Sequence, residues 1–223
     1  MSGERIYAPL PPVIEEETLT PGDLDALFGA EDFSAEDPAE GLLFSGQSAA
    51  FTAGRNAELK SCILRGCDLH GLSWKNAVFT DVIFERCDLS NAHLNEAFFQ
   101  RVRLNDCKLT GCSLNGARLR NVRITNCILR MSDLSESKWN AAALYDCDLT
   151  EASLQQEREF KSVTLKNCRM VRAEVTGTPL KGVDLTECDI TGLILTGERE
   201  LRGAIVTPTQ ALQLSALLGI VIK

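Results

Sequence analysis

The stretch that decides the fold is AELKSCILRGCDLHGLSWKNAVF, residues 57–79. Its large apolar residues recur at every fifth position: Leu59, Leu64, Leu69, Trp74 and Phe79. The series continues unbroken to Leu154, so that all twenty of its positions are apolar in a chain that is 44% apolar. Chance does not produce such a series, and the chain is therefore predicted to be a repeat protein with a five-residue unit.

A second column lies two residues before the first and holds small or medium residues such as Ala57, Cys62 and Cys67. Two inward residues separated by one outward residue are typical of a short extended step, because alternate side chains of a strand point to opposite faces. The two residues that follow each step are often turn formers, as at Gly66 and Asn91. Each five-residue unit is therefore predicted to be one side and one corner of a coil.

The cysteines indicate how many sides make one coil. Seven of the nine recur at intervals of twenty residues, with one extra residue inserted after the fifth: Cys67, Cys87, Cys107, Cys127, Cys147, Cys168 and Cys188. Twenty residues are four units, so these cysteines fall on one wall of a four-sided coil, stacked at the strand spacing of about 4.8 Å. We expect an all-β, square-sectioned solenoid.

The stacked thiols are expected to be structural. Tetrahedral zinc needs ligands that converge on one point, whereas a stacked column holds its thiols parallel, and their directions are also poor for disulfides. Buried cysteine serves as a small apolar residue in a reducing compartment, so we expect a cytoplasmic protein with no metal and no other cofactor.

The repeat resembles the pentapeptide-repeat family, whose consensus is A(D/N)LXX. The resemblance covers about residues 55–206, and it rests on four matches in particular: Cys67-Asp68-Leu69, Cys87-Asp88-Leu89-Ser90-Asn91, Ser132-Asp133-Leu134 and Cys147-Asp148-Leu149. It implies a right-handed quadrilateral β-helix. It implies much less about activity, because one scaffold can carry different functions.

Composition divides the chain into three parts. Residues 1–50 hold eleven acidic residues against Arg5 and contain five prolines, which predicts a flexible segment, with a short helix allowed between Glu15 and Phe28. Residues 51–206 form the predicted solenoid. Because the chain carries a net charge of −8 and its first fifty residues −10, the remainder is close to neutral at +2. Residues 207–223 are expected to form a capping helix, about Thr209–Leu218, followed by a short strand.

An open solenoid end exposes its core, so a cap is required, and this one is more apolar than a cap alone needs. The segment resembles the C-terminal element of the Qnr quinolone-resistance proteins. That resemblance implies a homodimer through Leu214, Leu217 and Leu218. It also implies a DNA-like acidic surface that binds DNA gyrase, which the near-neutral charge of the solenoid opposes.

Two surfaces follow from placing residues on walls. Val78, Phe98, Ile63 and Ile83 are predicted to be outward apolar residues on two adjoining sides of the first coils. Bases follow further along the same sides: Arg101, Arg103, Arg118, Arg120, Arg123 and Lys138. Such a cluster favours a covered or partner-binding surface.

The cysteine wall is predicted to carry acidic residues on its outer side, chiefly Asp68, Asp88, Asp148 and Asp189. Two interpretations of these carboxylates remain open. They cap turns, as the consensus aspartate commonly does, or they bind a partner as DNA-like charges.

Catalysis is not expected, because His70 and His93 are the only histidines, no nucleophile or phosphate-loop motif occurs, and a filled rod offers no pocket. No membrane span and no direct nucleic-acid binding are expected either. Two functions remain: a Qnr-like modulator or protector of DNA gyrase or topoisomerase IV acting by DNA mimicry, and a general protein-binding scaffold using its arginine and apolar walls.

Because the acidic N-terminal segment and the bases belong to one chain, we also expect the segment to dock on the rod. In this hypothesis Leu24, Leu27 and Phe28 cover Phe98 and Ile83. The carboxylates of the segment would then reach Arg103 and Arg123.

Overall fold

The computed structural model describes residues 8–28, 38–49, 53–55, 57–156, 159–217 and 219–220. The strands are β1 Thr20–Pro21, β2 Ala39–Glu40, β3 Leu42–Ser45, β4 Ala53–Arg55, β5 Glu58–Arg65, β6 Ser73–Lys75, β7 Val78–Glu85, β8 Phe98–Asn105, β9 Arg118–Thr125, β10 Lys138–Tyr145 and β11 Glu159–Lys166. The helices are a 3-10 turn at Glu16–Thr18, α1 Leu24–Phe28, α2 Glu198–Leu201 and α3 Pro208–Leu217.

Parallel pairing between residues twenty positions apart generates the coil. Phe79 of β7 pairs with Phe99 of β8, and Val82 pairs with Val102. The same offset relates the other long strands from β5 to β10, and it becomes twenty-one at β11, where the sequence has one extra residue. Twenty residues are four five-residue units, so the predicted four-sided β-solenoid is confirmed.

The four walls are named here by the outward residue at the centre of each side. Face 1 carries the column through Val78, Phe98, Arg118 and Lys138, and face 2 the column through Ile63, Ile83, Arg103, Arg123 and Ala143. Face 3 carries Asp68, Asp88, Lys108, Ile128, Asp148, Arg169 and Asp189, and face 4 carries Ser73, His93, Ser113, Asp133, Ser153, Glu174 and Ile194. Faces 1 and 2 are the two halves of each eight-residue strand.

The core consists of the two predicted inward columns. Every position of the twenty-membered apolar series from Leu59 to Leu154 is at most 5% exposed. Aromatic rings stack along the rod, with the centroids of Phe79 and Phe99 4.9 Å apart. The cysteines lie in the same core, and the ladder thiols from Cys67 to Cys168 each donate a hydrogen bond to a backbone carbonyl, as Cys87 Sγ does to Leu64 O at 3.2 Å.

The rod begins earlier than the predicted boundary at residue 51. Ala39, Phe44 and Ala49 continue the inward column, and Phe44 is fully buried opposite Leu64. This coil was not predicted because Gly54 occupies the position that Trp74 occupies one coil later. The glycine interrupts the run of large apolar residues.

The N-terminal end of the rod is closed by residues that the sequence analysis assigned to a flexible segment. Strand β1 pairs with β3, and Leu24 of α1 is fully buried in the core. The Leu24 N–H donates to Gln47 Oε1 at 2.8 Å, while Gln47 Nε2 donates to Gly22 O at 2.7 Å. This closure satisfies an edge that would otherwise expose strands and core to water.

At the other end, α3 is the predicted capping helix. Gln210 is buried, and its Nε2 donates to Leu185 O and Cys188 O, each at 2.8 Å. Leu214 packs into the core with 6% of its surface exposed. None of the helices described here is long and apolar enough to cross a membrane.

Leu129 and Ile128 provide a matched test of the inward and outward assignments. Leu129 is fully buried, while its neighbour Ile128 is 41% exposed on face 3. Leu129→Asp places an unpaired carboxylate in the shared core and should lower the free energy of unfolding by about 3 kcal/mol or more. Ile128→Asp should change it by about 0.5 kcal/mol. Circular-dichroism melts measure both, and equal losses for the two variants would contradict the assignment.

Candidate interaction surfaces

Five cations form a continuous patch on faces 1 and 2, called the basic face below: Arg103, Arg118, Arg120, Arg123 and Lys138. Arg118 pairs in register with Lys138, and Arg103 pairs with Arg123, so like charges stand on neighbouring coils about 4.8 Å apart. Like charges that face each other across paired strands repel. Among the described residues, none of the five forms an ion pair, and Arg123 contacts only the Tyr145 ring, 5.4 Å from its centroid.

Several cations elsewhere on the rod are neutralised by the neighbouring coil. Their pairs are Lys60–Glu40, Arg65–Glu85, Lys75–Glu96, Lys108–Asp88, Lys166–Glu187 and Arg172–Glu151. Each pair joins residues that the coil period brings side by side. In the basic face, Arg103 and Arg118 instead stand next to another cation on the following coil.

Arg101 differs from the other predicted partner-binding bases. Its Nε and a terminal nitrogen donate to the two oxygens of Asp81, each at 2.6 Å, and the Asp81 side chain is 7% exposed. Burial acts to raise the pKa of Asp81, but the Arg101 guanidinium and the Val13 N–H outweigh it and hold that pKa below its ordinary value. Arg101 therefore holds the structure of the corner between faces 1 and 2, and its grouping with the exposed bases is corrected.

Residues 8–19, called the strap below, cross face 2. The Leu10 N–H donates to Asn121 Oδ1 at 3.2 Å and the Val13 N–H donates to Asp81 Oδ1 at 2.8 Å, both at the corner between faces 1 and 2. Further along, Glu16 lies 3.4 Å from Arg65 at the opposite edge of face 2. The strap therefore passes diagonally over the first coils of this wall.

This path agrees with the covered alternative of the predicted apolar surface on face 2. Ile63 is fully buried and Ile83 is 9% exposed, although both point outward, because the strap passes over this part of face 2. Val78 and Phe98 on face 1 are half-buried.

The structure confirms that the N-terminal segment docks, but it corrects the contacts. Leu24 closes the end of the rod and does not lie over Phe98, and Glu16 meets Arg65 instead of Arg103 or Arg123. Leu27 packs against the core cluster, and the side chain of Phe28 lies outside the described residues.

The aspartates of face 3 mainly serve their own turns. In Asp68, Asp88, Asp148 and Asp189 the Oδ1 atom accepts the backbone N–H two residues later, at 3.0–3.2 Å. The Thr191 hydroxyl and N–H hold the pKa of Asp189 below its usual value. Lys108, Ile128 and Arg169 interrupt the column. The turn-capping interpretation therefore accounts for these carboxylates without a partner.

The C-terminal cap presents a different apolar surface from the predicted one. Leu214 faces the core and is unable to face a second subunit. Leu217 is 50% exposed and lies near Ile220, which is 56% exposed, while Leu212 is 54% exposed elsewhere on the helix. Leu218 lies outside the described residues. The exposure of Leu212 could not be inferred from the apolar pattern, because the pattern does not fix which side of the helix meets the rod.

Known proteins share the repeat but not a high sequence identity. A trypsin-treated variant of QnrB1, a plasmid-mediated fluoroquinolone resistance protein, is 21% identical over 84% of this chain and 92% of its own, with a TM-score of 0.44. HetL from Nostoc sp. strain PCC 7120, a pentapeptide repeat protein involved in heterocyst differentiation regulation, is 19% identical over 84% and 97%, with a TM-score of 0.27. A pentapeptide repeat protein from the Arabidopsis thaliana thylakoid lumen is 20% identical over 61% and 70%, with a TM-score of 0.23.

These likenesses assign no activity to the chain, and no curated protein sequence matches it. The repeat itself is matched directly, because residues 77–154 fit the family model described as a pentapeptide repeat region. The twenty-residue register extends on both sides of that stretch. Residues 77–154 are thus a pentapeptide repeat region, and the coils on either side of it keep the same register.

Proposed function

We propose that the chain is a non-catalytic protein-interaction solenoid whose basic face binds an acidic segment of a protein partner. The observation that supports this is the in-register stacking of four cations in two pairs, Arg103 with Arg123 and Arg118 with Lys138, with no ion pair to these four among the described side chains. Holding like charges on neighbouring coils costs stability, and an anionic ligand would recover it. The rigid coil fixes the spacing of these side chains before a partner arrives, which lowers the ordering cost of binding.

The nine buried, unpaired thiols support a reducing compartment, and the cytoplasm is the proposed location. Donation to backbone carbonyls and burial keep the ladder thiols from acting as nucleophiles, since reactive cysteines are exposed thiolates. This supports the non-catalytic part of the proposal.

A fluorescein-labelled poly-glutamate peptide tests the basic face. Arg118→Glu, Arg120→Glu and Arg123→Glu combined should weaken its binding about tenfold or more in about 50 mM salt. The control, Arg86→Glu, Arg169→Glu and Lys181→Glu combined, makes the same change in net charge at dispersed sites and should retain affinity within about threefold. Equal losses in both variants would show that net charge alone drives binding. Tighter binding of duplex DNA than of poly-glutamate would contradict a protein partner.

Arg101 separates structure from binding in the same assay. Arg101→Ala leaves the buried Asp81 carboxylate without its ion pair and should lower the free energy of unfolding by about 1–3 kcal/mol with little effect on peptide affinity. Arg120 is at the same corner and has no ion pair among the described residues. Arg120→Ala should therefore leave the free energy of unfolding nearly unchanged and weaken peptide binding. Urea titration and fluorescence anisotropy measure the two effects.

The second candidate is a Qnr-like modulator or protector of DNA gyrase or topoisomerase IV acting by DNA mimicry. The exposed apolar edge of the C-terminal cap supports it, since that edge offers a site for a two-fold dimer. The occupied turn aspartates and the bases of face 3 oppose it, so the scaffold function is favoured. A supercoiling assay with purified gyrase, with and without a fluoroquinolone, decides: an unchanged supercoiling rate and unchanged drug sensitivity exclude this candidate.

We propose that the exposed apolar residues of the cap, Leu217 and Ile220 on one side and Leu212 elsewhere on the helix, pair two copies of the chain. Leu212→Glu with Leu217→Glu should give a folded monomer, because both side chains are about half-exposed in one chain. Leu214→Glu should instead destabilise the rod, because Leu214 is buried against it. Sedimentation velocity and circular dichroism distinguish the two results, and a monomeric wild type would reject the dimer.

A further inference from the structure

The corner between faces 1 and 2 is a regular column. Its successive residues, one per coil, are Ser61, Asp81, Arg101, Asn121, Ala141 and Ser162, and each has a positive φ of 51–56°. Because the backbone repeats at every coil, side chains in this column project at intervals of about 4.8 Å. The strap lies along this column, with the sequence Ala8-Pro9-Leu10-Pro11-Pro12-Val13-Ile14.

The repeat of the strap matches the repeat of the column. The acceptors of the Leu10 and Val13 N–H groups, Asn121 and Asp81, stand two coils apart, or about 9.6 Å. Leu10 and Val13 are three residues apart, and three residues of polyproline II helix rise about 9.3 Å. One turn of the strap therefore spans two coils of the rod.

Two prolines three residues apart, Pro9 and Pro12, lie against the rod, and Ile14 beyond them is half-buried. Pro9 is buried and Pro12 half-buried, whereas Leu10, Pro11 and Val13 are exposed. In a β-strand, residues three apart would point to opposite sides, so a strand could not place both N–H groups on the rod. Polyproline II has three residues per turn, which places them on one side.

Two further contacts fix the direction and register of the strap. Arg101 holds both oxygens of Asp81, so this acceptor is oriented before the strap binds. Glu16, four residues after Pro12, meets Arg65, whose Nε is also 2.7 Å from Glu85. The rod thus packs against two prolines of the strap, accepts two of its backbone hydrogen bonds and forms an ion pair with one of its carboxylates.

We propose that this corner column is a docking track for polyproline II segments, and that a partner protein carrying Pro-x-x-Pro with an acidic residue four positions later binds it by displacing the strap. The strap is the ligand that shows what the track accepts. Two backbone hydrogen bonds, an exposed ion pair and the apolar contact over Ile63 and Ile83 hold the strap, and a partner segment of the same pattern would replace these interactions. The track is distinct from the basic face and uses different residues.

The strap competes with any partner from within the chain. Its effective concentration is on the order of millimolar, so it weakens the apparent affinity of a partner in proportion. Loosening the strap should therefore reveal the track. Replacing its donating residues by proline removes both N–H groups and keeps the polyproline II conformation.

The probe is a labelled peptide of residues 8–19, added to the full-length chain. Leu10→Pro with Val13→Pro should bind it about tenfold or more tightly than the wild type does, because the internal competitor is weakened. Leu10→Ala with Val13→Ala is the matched control: it changes the same two exposed side chains, keeps the donors, and should bind within about threefold of the wild type. Equal peptide affinity in all three chains would overturn the proposal.

A register test follows in the Leu10→Pro, Val13→Pro chain. A peptide with one glycine inserted between Pro11 and Pro12 should bind about tenfold more weakly, because its donors no longer match two coils. Asn121→Ala should weaken the original peptide, while Asn140→Ala, at the same corner one coil further, should not. Equal affinity for the peptides with and without the insertion would show that binding does not depend on register, and it would reject the proposed track.

The basic-face variant separates this proposal from the proposed function. In about 300 mM salt, Arg118→Glu with Lys138→Glu, two bases of face 1 that lie outside the corner, should leave peptide affinity within about threefold, because salt weakens their attraction to the carboxylates of the peptide. A loss of about tenfold in that variant would mean that the peptide binds the basic face, and would overturn the track.

Discussion

The constraint on which the rest of the structure depends is the in-register hydrogen bonding between successive coils. The Leu109 N–H donates to Ile128 O at 2.7 Å, and the equivalent bond recurs one coil later from Leu129 to Asp148. Because every coil repeats this pattern, any side chain that recurs at twenty residues becomes a straight column at a fixed spacing of about 4.8 Å. Apolar columns inside make one continuous core. On the outside, the same spacing determines which charged side chains are neighbours. It also determines the spacing of the hydrogen-bond acceptors that a bound segment must match.

The outer columns illustrate the consequences of this fixed spacing. Where opposite charges recur, the coils pair them, as Lys75 and Glu96 do. Where like charges recur, the basic face results, because Arg103 stands next to Arg123 and Arg118 next to Lys138. The corner column provides the third case, in which Asp81 and Asn121 stand two coils apart and bind backbone donors three residues apart in the strap. One geometric repeat thus accounts for the core, the basic face and the docked segment, with no feature special to any single coil.

The sequence predicted the parts of the structure that depend on this repeat and missed the parts that do not. The inward columns, the four sides and the turn role of Asp88 follow from spacing alone, since each coil imposes the same environment. The coil around Phe44 was hidden because one glycine replaced a tryptophan in the column. The covering of Ile83 by the N-terminal segment was predicted, but with Leu24, which closes the end of the rod instead, because no periodicity encodes the path of a non-repeating segment. The same holds for Leu214, because helix rotation against the rod end follows from packing that no periodicity encodes.

Residue-resolved amide hydrogen exchange in the strap tests the central claim most directly, namely that the coil spacing holds this segment by donors three residues apart. Pro9, Pro11 and Pro12 carry no N–H, so the informative amides are those of Leu10, Val13 and the residues that follow. Exchange should be slow at the Leu10 and Val13 amides, which donate to the rod. It should be fast at the Ile14 and Glu15 amides, which donate no hydrogen bond within the described structure. Uniformly fast exchange across residues 8–16, at the rate of an unstructured peptide, would contradict the claim.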